Sequence, residues 1–436
     1  MVAAVRADRK EVFGWAMFDF ANSSYTTVII TVVYAVVFPK VIVGDAPDYR
    51  QGNLLWSLAL AATYLIVVVT APLFGAVMDF RAQKKKFLFA SWLGTIAATA
   101  ALGLAGPGDV ALAMVLLVLS NFGFASGESF VASFLPELAP KEALGKISGL
   151  AWGLGYVGGL ASTMGVLAAV GELVPENAER LRLVGPLTAL FFGLAAIPTF
   201  LFVKERGAAR ALPPGESLLS VALGQLRATV RALPALRDLA MFLASLFFAM
   251  AGLGIVISFA FIYGDQVIRW QASTQIAMFV LTNLSAAVGA LVFGIIQDRF
   301  GNMRTYRLTL VIWVVAVVGI HQTPSLSTAT GLSAEHVYLG VGSVAGLCLG
   351  ATQSAGRTVV AVLSPASKTA EMFGFWGMVS KLAAALGLVG LGALQSAFGL
   401  QSAILLCALL FAAAFFLAGR VDERRGVVAA QEPVSP

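Results

Sequence analysis

Four ionisable residues, Asp19, Glu128, Arg357 and Lys381, lie inside segments that otherwise read as membrane-spanning. A charge at the centre of a bilayer costs about 2.5–3.5 kcal/mol on insertion scales, so such residues persist where they pair with one another or face a water-filled cavity. The two acidic residues lie in the first half of the chain and the two basic residues in the second half. This pattern predicts a polar cavity that handles a charged or zwitterionic solute.

Neutral polar and aromatic residues accompany the four charges. Asn22 and Ser23 follow Asp19 at i+3 and i+4, so the three share one face of a helix. The nearby aromatic residues have three expected roles, which are to wall an apolar side chain, to stack on a cation and to pack against neighbouring helices. We expect the solute and ion pathway to comprise Asp19, Asn22, Ser23, Glu128, Tyr156, Gln353, Arg357, Trp376 and Lys381.

The sequence leaves three roles open for the charged residues. In the first, Arg357 and Lys381 hold a substrate carboxylate while Asp19 or Glu128 takes the ammonium group of a zwitterion. In the second, Glu128 or Asp19 carries a proton, because opening and closing of the cavity changes how strongly a carboxyl group holds one. In the third, Glu128 with Arg357, or Asp19 with Lys381, forms an ion pair that closes the cytoplasmic side.

The composition is that of a polytopic membrane protein. Of 436 residues, 59% are hydrophobic and only 12% are charged, against about 25% charged residues in a soluble domain. The sequence shows no metal-ligand spacing and no nucleophile–base pair, so we expect no cofactor, no metal and no enzymatic activity. The net charge of +6 is explained by basic cytoplasmic loops rather than by nucleic-acid binding.

Twelve segments are long and apolar enough to cross a bilayer, which takes about 20 residues. They are 12–39, 54–80, 86–106, 110–136, 145–170, 184–203, 237–264, 273–297, 305–322, 337–363, 371–395 and 400–419. Twenty-one basic residues fall on one side of this topology and five on the other, which places both termini in the cytoplasm. We expect a monomeric multi-pass protein of a bacterial inner membrane.

The longest connection, 204–236, divides the chain into two sets of six spans. After a Pro-Pro-Gly sequence it carries apolar residues at helical spacing, with Arg227 and Arg231 one turn apart. This pattern predicts an amphipathic helix on the cytoplasmic leaflet, with a solvated linker as the alternative. The apolar residues are Leu219, Leu223, Leu226, Val230 and Leu233. The expected organisation is a six-helix bundle over 1–203, the linker over 204–236, a second bundle over 237–420 and a cytoplasmic tail over 421–436.

The two halves contain the same glycine–aspartate–basic loop, after the second and the eighth spans. Its residues are Gly75, Asp79, Arg81 and Lys84 in the first half and Gly294, Asp298 and Arg299 in the second. The two aspartates are 219 positions apart. An aspartate at the inner end of a helix can cap the N-terminus of a neighbouring helix and pair with an arginine across a loop. We therefore expect this motif to latch one conformation.

Two same-topology halves of six spans are the architecture of major facilitator transporters, and the repeated loop resembles the signature of that superfamily. The chain departs from the signature at Phe80, Ala82 and Gln83 in the first copy, and at Asn302 and Met303 in the second. The resemblance implies an all-α membrane protein of twelve helices in two pseudo-symmetric bundles. It also implies that the first, fourth, seventh and tenth helices line a central cavity.

A narrower resemblance covers nearly the whole chain. The segments from Trp15 to Ser23, from Phe134 to Pro140 and from Gln353 to Arg357 are similar to the vacuolar amino-acid effluxer family, which has bacterial relatives of unknown function. Its fungal members are implicated in releasing amino acids from the vacuole. The resemblance implies a secondary transporter for amino acids, with export and proton coupling left open. The alternatives are an exporter of drugs, amphiphiles or organic anions with the same fold, and a sensor or scaffold that does not transport.

Overall fold

The computed structural model describes residues 7–44, 49–232 and 234–431, and the regular structure of this part of the chain is helical throughout. Within these described residues, eleven helical spans are long and apolar enough to cross a bilayer, and one further long helix completes a set of twelve. In chain order, the first to twelfth spans are Arg9–Val43, Arg50–Arg81, Lys84–Leu104, Val110–Leu138, Lys141–Val170, Pro175–Phe202, Arg237–Ile268, Ser273–Phe300, Asn302–His321, Ala334–Leu363, Ala366–Gln395 and Leu400–Ala418. The predicted all-α membrane fold is confirmed.

The tenth span, Ala334–Leu363, is less apolar than its neighbours. It reaches the hydropathy of a membrane span only together with the short helix Thr323–Thr330, from which it is bent by 120°. The reason is its location, because its polar residues Gln353 and Arg357 face the interior of the protein rather than lipid. A helix that lines a polar cavity does not need a uniformly apolar surface.

Close helix crossings join the two halves at one end of the bundle. The second span packs against the eleventh, and the fifth packs against the eighth. Glycines allow the backbones to approach at both crossings, since Gly75 faces the carbonyl of Ala370 and Gly149 faces the carbonyl of Ala290. Both crossings lie at the end where the first span begins and the twelfth span ends, which also carries most of the described Lys and Arg residues and which we call the basic end.

The glycines of the fifth span serve two neighbours. Gly155 and Gly158 lie against the backbone of the first span, whereas Gly149 and Gly153 lie against the eighth. A Cβ atom at position 158 would sit 2.1 Å from the carbonyl oxygen of Phe20, far inside van der Waals contact. The fifth span therefore links the first span of its own half to the eighth span of the other half.

Two further helices lie at the basic end. The linker helix, Leu218–Ala232, lies between the sixth and seventh spans and packs along the second span. A short helix, Glu423–Ala429, follows the twelfth span and packs against the seventh and tenth spans. Of the predicted amphipathic stripe in the linker, Leu233 lies outside the described residues.

Matching ion pairs fix the segments after the sixth and twelfth spans to their own halves. Two guanidinium nitrogens of Arg206 donate to the carboxylate of Glu11 in the first span, at 2.5 and 2.6 Å. Two nitrogens of Arg425 donate in the same way to Asp238 in the seventh span, both at 2.7 Å. Bidentate pairs of this kind are among the stronger polar contacts in proteins. Because each pair lies within one half, neither pair contributes a contact between the halves.

Candidate functional site

A cavity of about 220 Å³ lies between the two halves of the bundle. Its lining comes from the first, fourth and fifth spans on one side and from the seventh to eleventh spans on the other. Eight of the nine pathway residues expected from the sequence line it, namely Asp19, Asn22, Ser23, Glu128, Tyr156, Gln353, Arg357 and Trp376. The ninth, Lys381, lies behind the lining and contacts Glu128.

Asp19 and Arg357 form an ion pair across the two halves at the floor of the cavity, the part nearest the basic end. Arg357 Nη1 donates to Asp19 Oδ2 at 2.6 Å, and both side chains are almost fully buried. The other guanidinium nitrogens donate to Ser148, with Nε 3.1 Å from its hydroxyl and Nη2 3.0 Å from its carbonyl oxygen. The guanidinium also lies over the rings of Trp15 and Trp152, at 4.7 and 5.3 Å. Each nitrogen of Arg357 therefore already has a partner.

A second ion pair joins the halves between the fourth and eleventh spans. Lys381 Nζ donates to Glu128 Oε2 at 2.8 Å. The ammonium group also lies over the rings of Tyr64 and Phe124, at 5.8 and 5.7 Å from their centroids. This pair is less buried than the first, since the Glu128 side chain is 24% exposed and that of Lys381 is 19% exposed. Water or a solute can approach it more readily.

The ion pairs expected from the sequence, Glu128 with Arg357 and Asp19 with Lys381, are wrong, because the structure exchanges the partners. The cause is lateral packing. The eleventh span packs against the fourth, which brings Lys381 to Glu128. The tenth span packs against the fifth, whose Ser148 holds Arg357 where the neighbouring first span presents Asp19.

Neutral polar contacts continue the junction between the halves above the floor. Gln353 Nε2 donates to the hydroxyl of Tyr156 at 2.8 Å, from the tenth span to the fifth. In the first span, Asn22 and Ser23 lie just before the helix widens to π-helical turns over Tyr25–Val32. Such widened turns occur often at functional sites. The polar lining thus mixes charged and neutral groups from both halves.

The wall of the cavity away from the basic end is mainly apolar on the side of the second half. Phe261, Met278, Phe279 and Ile320 line it. Tyr338 also contributes, and its hydroxyl is occupied because it donates to a backbone carbonyl of the seventh span at 2.7 Å. The cavity therefore combines a charged floor with an apolar wall, an arrangement that suits a solute with one polar end and one apolar part.

The two aspartates of the repeated loop cap helices of the opposite half, as the motif predicts. Asp79 accepts from the backbone N–H groups of Ala370 and Glu371 at the start of the eleventh span, at 3.1 and 2.8 Å. Asp298 accepts from two N–H groups at the start of the fifth span, those of Gly145 and Lys146, at 2.8 and 2.9 Å. A carboxylate at a helix N-terminus is stabilised by the helix dipole and by the free N–H groups. These two contacts, which we call the latches, join the two halves at the basic end.

The other motif residues divide between the latches and the local structure. Gly75 and Gly294 let the crossings close, because a Cβ atom would lie 2.3 Å from the carbonyl oxygen of Ala370 and 2.6 Å from that of Gly145, respectively. Lys84 is buried and donates to Glu137 within its own half at 2.6 Å. The expected pairing of Asp79 with an arginine is not found among the described residues. Within that part of the chain neither motif arginine forms an ion pair: Arg81 is half-buried and Arg299 is exposed.

Two residues of the site escaped the sequence interpretation. Ser148 accepts from Arg357 through two atoms, and Trp15 covers one face of the same guanidinium while its indole N–H donates to a carbonyl of the fourth span at 2.7 Å. The signal for Ser148 is its spacing, because it precedes Trp152 by four residues and so shares a helical face with it.

Comparison with known proteins places the chain in a family and a fold. Residues 55–431 match the protein family described as "Vacuole effluxer Atg22 like". The chain is also similar to the uncharacterized MFS-type transporter YxiO of Bacillus subtilis (strain 168). The two are 24% identical over 384 residues, which cover 87% of this chain and 86% of the relative.

Several solved structures share the fold. The human organic anion transporter MFSD10 (TETRAN) has a TM-score of 0.72 at 17% identity, covering 94% of this chain and 99% of its own. The proton:xylose symporter XylE has a TM-score of 0.71 at 13% identity, covering 96% of both chains. An outward-facing bacterial homologue of the iron transporter ferroportin has a TM-score of 0.68 at 14% identity, covering 94% of this chain and 98% of its own. At these identities the likeness shows the major facilitator fold alone. The matching family and the Bacillus relative are described as an effluxer and a transporter, not as enzymes.

Proposed function

Because this chain belongs to the family described as "Vacuole effluxer Atg22 like" and has the major facilitator fold, we propose that it transports amino acids by alternating access. The cargo is a small zwitterion with an apolar side chain. The basic end faces the cytoplasm of a bacterial cell, with both termini there, and the protein acts as a monomer in the inner membrane. The direction is export, and the energy comes from a proton gradient.

The observation that carries this proposal is the neutralisation of two basic residues, Arg357 in the cavity lining and Lys381 behind it. Arg357 is paired with Asp19 and Lys381 with Glu128, so the charged floor has no net formal charge. A net-neutral zwitterion enters such a site without leaving an uncompensated charge in a low-dielectric region. An organic anion would find no free cation among the described residues of the lining, which disfavours that alternative.

The ion pairs and the cargo use the same groups at different stages. Both ion pairs cross between the halves, so opening the basic end separates their members. A zwitterionic cargo then replaces the lost partners, its carboxylate at Arg357 or Lys381 and its ammonium group at Asp19 or Glu128. In this scheme the same residues close the cavity in one state and bind the substrate in the next. These are two of the roles that the sequence left open. Protonation of Glu128, the more exposed of the acids, releases Lys381 and supplies the coupling to protons.

The test is counterflow in proteoliposomes loaded with a panel of unlabelled amino acids, with and without a pH gradient. We expect saturable exchange for amino acids with apolar side chains and accumulation that depends on the gradient. Exchange of organic anions or amphiphiles instead would replace the proposed cargo. No exchange of any solute by folded protein would favour a sensor or scaffold without transport.

A further inference from the structure

The linker helix, Leu218–Ala232, has three distinct faces. Ala222 and Thr229 are buried against the protein. Beside this face, Leu219, Leu223 and Val230 form an apolar stripe whose residues are 56%, 43% and 52% exposed. The third face carries two exposed arginines, Arg227 and Arg231. On a helix with 100° between successive residues, the apolar stripe lies between the buried face and these arginines.

The buried face touches both halves of the protein. The side-chain amide of Gln225 lies 3.2 Å from the carbonyl oxygen of Ala76 in the second span. From the other half, Lys368 Nζ donates to the hydroxyl of Thr229 at 2.8 Å. Lys368 lies in the first turn of the eleventh span, immediately before its α-helix Thr369–Phe398 and close to the N–H groups that Asp79 caps. The linker helix therefore bridges the same crossing that the first latch closes.

We propose that the linker helix docks on an anionic lipid surface and thereby stabilises the closed basic end. The three-face arrangement matches an interfacial helix, with protein on one side, acyl chains at the apolar stripe and lipid phosphates at the arginines. The charge complementarity selects anionic lipid over a zwitterionic bilayer. A helix anchored at the membrane surface keeps its contacts to the second and eleventh spans, which part when the basic end opens.

The experiment uses the full-length chain in nanodiscs of phosphatidylcholine with or without phosphatidylglycerol. One variant, Leu223→Cys, carries an environment-sensitive fluorophore in the apolar stripe, and a second, Ser354→Cys, reports the opening of the basic end through its rate of maleimide labelling. Ser354 is fully buried in the tenth span where its carbonyl meets Ser148 of the fifth. The native Cys348 and Cys407 are fully buried and provide a low labelling background.

Phosphatidylglycerol is expected to shift the fluorophore emission to the blue and to slow the labelling of Ser354→Cys. The ratio of docked to released helix should fall roughly 5-fold for each arginine removed, since each contributes about 1 kcal/mol at an anionic surface. Arg227→Gln with Arg231→Gln should therefore lower this ratio roughly 25-fold and weaken both responses strongly. The matched control, Lys86→Gln with Arg424→Gln, removes two exposed charges from the same end outside the linker helix and should keep both.

Two results would overturn the proposal. An emission that stays the same in both lipids means that anionic lipid does not draw the stripe to the bilayer. A blue-shifted emission in both lipids would show docking without selection for anionic lipid, and an unshifted emission in both would show that the stripe does not dock. An emission shift without slower labelling means that docking does not stabilise closure. Neither result bears on the cargo, because both readouts are independent of transport.

Discussion

Gly149 offers the sharpest test of the closed crossing between the fifth and eighth spans. An ideal Cβ atom at this position lies 2.3 Å from the carbonyl oxygen of Ala290 and 3.1 Å from the Cα atom of Gly294. Carbon atoms in contact lie about 3.5–4.0 Å apart, so Gly149→Ala does not fit while the crossing is closed. Overpacking of this kind costs about 1–3 kcal/mol. The strain disappears when the halves part, so the substitution favours the state open at the basic end.

The assay is the maleimide labelling rate of Ser354→Cys in the Gly149→Ala background. A bias of about 1–3 kcal/mol corresponds to a labelling rate raised roughly 5- to 150-fold, because about 1.4 kcal/mol is a factor of ten. The matched control is Gly165→Ala in the same span, where an added Cβ meets nothing within 4 Å. Both variants gain the helix propensity of alanine, so their difference isolates the crossing.

The result that refutes this reasoning is an unchanged labelling rate in Gly149→Ala with the protein folded. Equal acceleration in Gly165→Ala would refute it as well, since the effect would then come from helix propensity. A further check is the corresponding glycine of the other crossing, Gly374, where a Cβ atom would lie 2.5 Å from the carbonyl oxygen of Ala71. Gly374→Ala should accelerate labelling by a similar factor. The free-energy effects of the two substitutions should add, so that their rate factors multiply, because the two sites share no partners.

Three other substitutions test separate parts of the argument. Arg357→Ala leaves Asp19 buried without its partner and should lower the free energy of unfolding by about 3–5 kcal/mol, measured by thermal melting in detergent. The double variant Asp19→Asn, Arg357→Gln should recover most of this loss. If it recovers nothing, the broken ion pair is not the cause of the loss. Ala82→Gly should raise the free energy of unfolding by about 0.5–1 kcal/mol in the same assay. Ala82 directly follows the second span at φ 48°, a left-handed conformation that favours glycine, and the second half has Gly301 at the corresponding position. A loss of stability would show that another contact of Ala82 outweighs its backbone conformation. Glu128→Gln should lose pH-driven accumulation in proteoliposomes and keep exchange, and persistent accumulation would remove Glu128 as the proton carrier.

The sequence predicted what is local and missed what depends on lateral packing. The spans follow from the length and hydropathy of single segments, and the latch follows from an aspartate at the end of a helix in each half. The partners of the buried charges do not follow from either, because they depend on which helices are neighbours. Arg357 has the same sequence context whether it meets Glu128 or Asp19. Ser148, the residue that positions it, looks like one more small residue in a glycine-rich helix.

The distribution of the four charges allows two proposed roles of the ion pairs, closing the cavity and orienting a zwitterion, to be tested separately. Both acids belong to the first half and both bases to the second, so the halves carry opposite charges wherever the pairs are broken. If the pairs only close the cavity, exchanging the members of one pair preserves function. If they also orient a zwitterion, the exchange inverts the local polarity and the cargo no longer fits.

The exchange Glu128→Lys with Lys381→Glu tests this distinction. The reversed pair should restore the melting temperature that either single substitution lowers, because each single variant places two like charges together. We expect the exchanged protein to be folded, to show wild-type maleimide labelling of Ser354→Cys and to lose amino-acid counterflow. Counterflow at the wild-type rate would mean that this pair acts in closure alone, and the orientation of the cargo would then rest with Asp19 and Arg357.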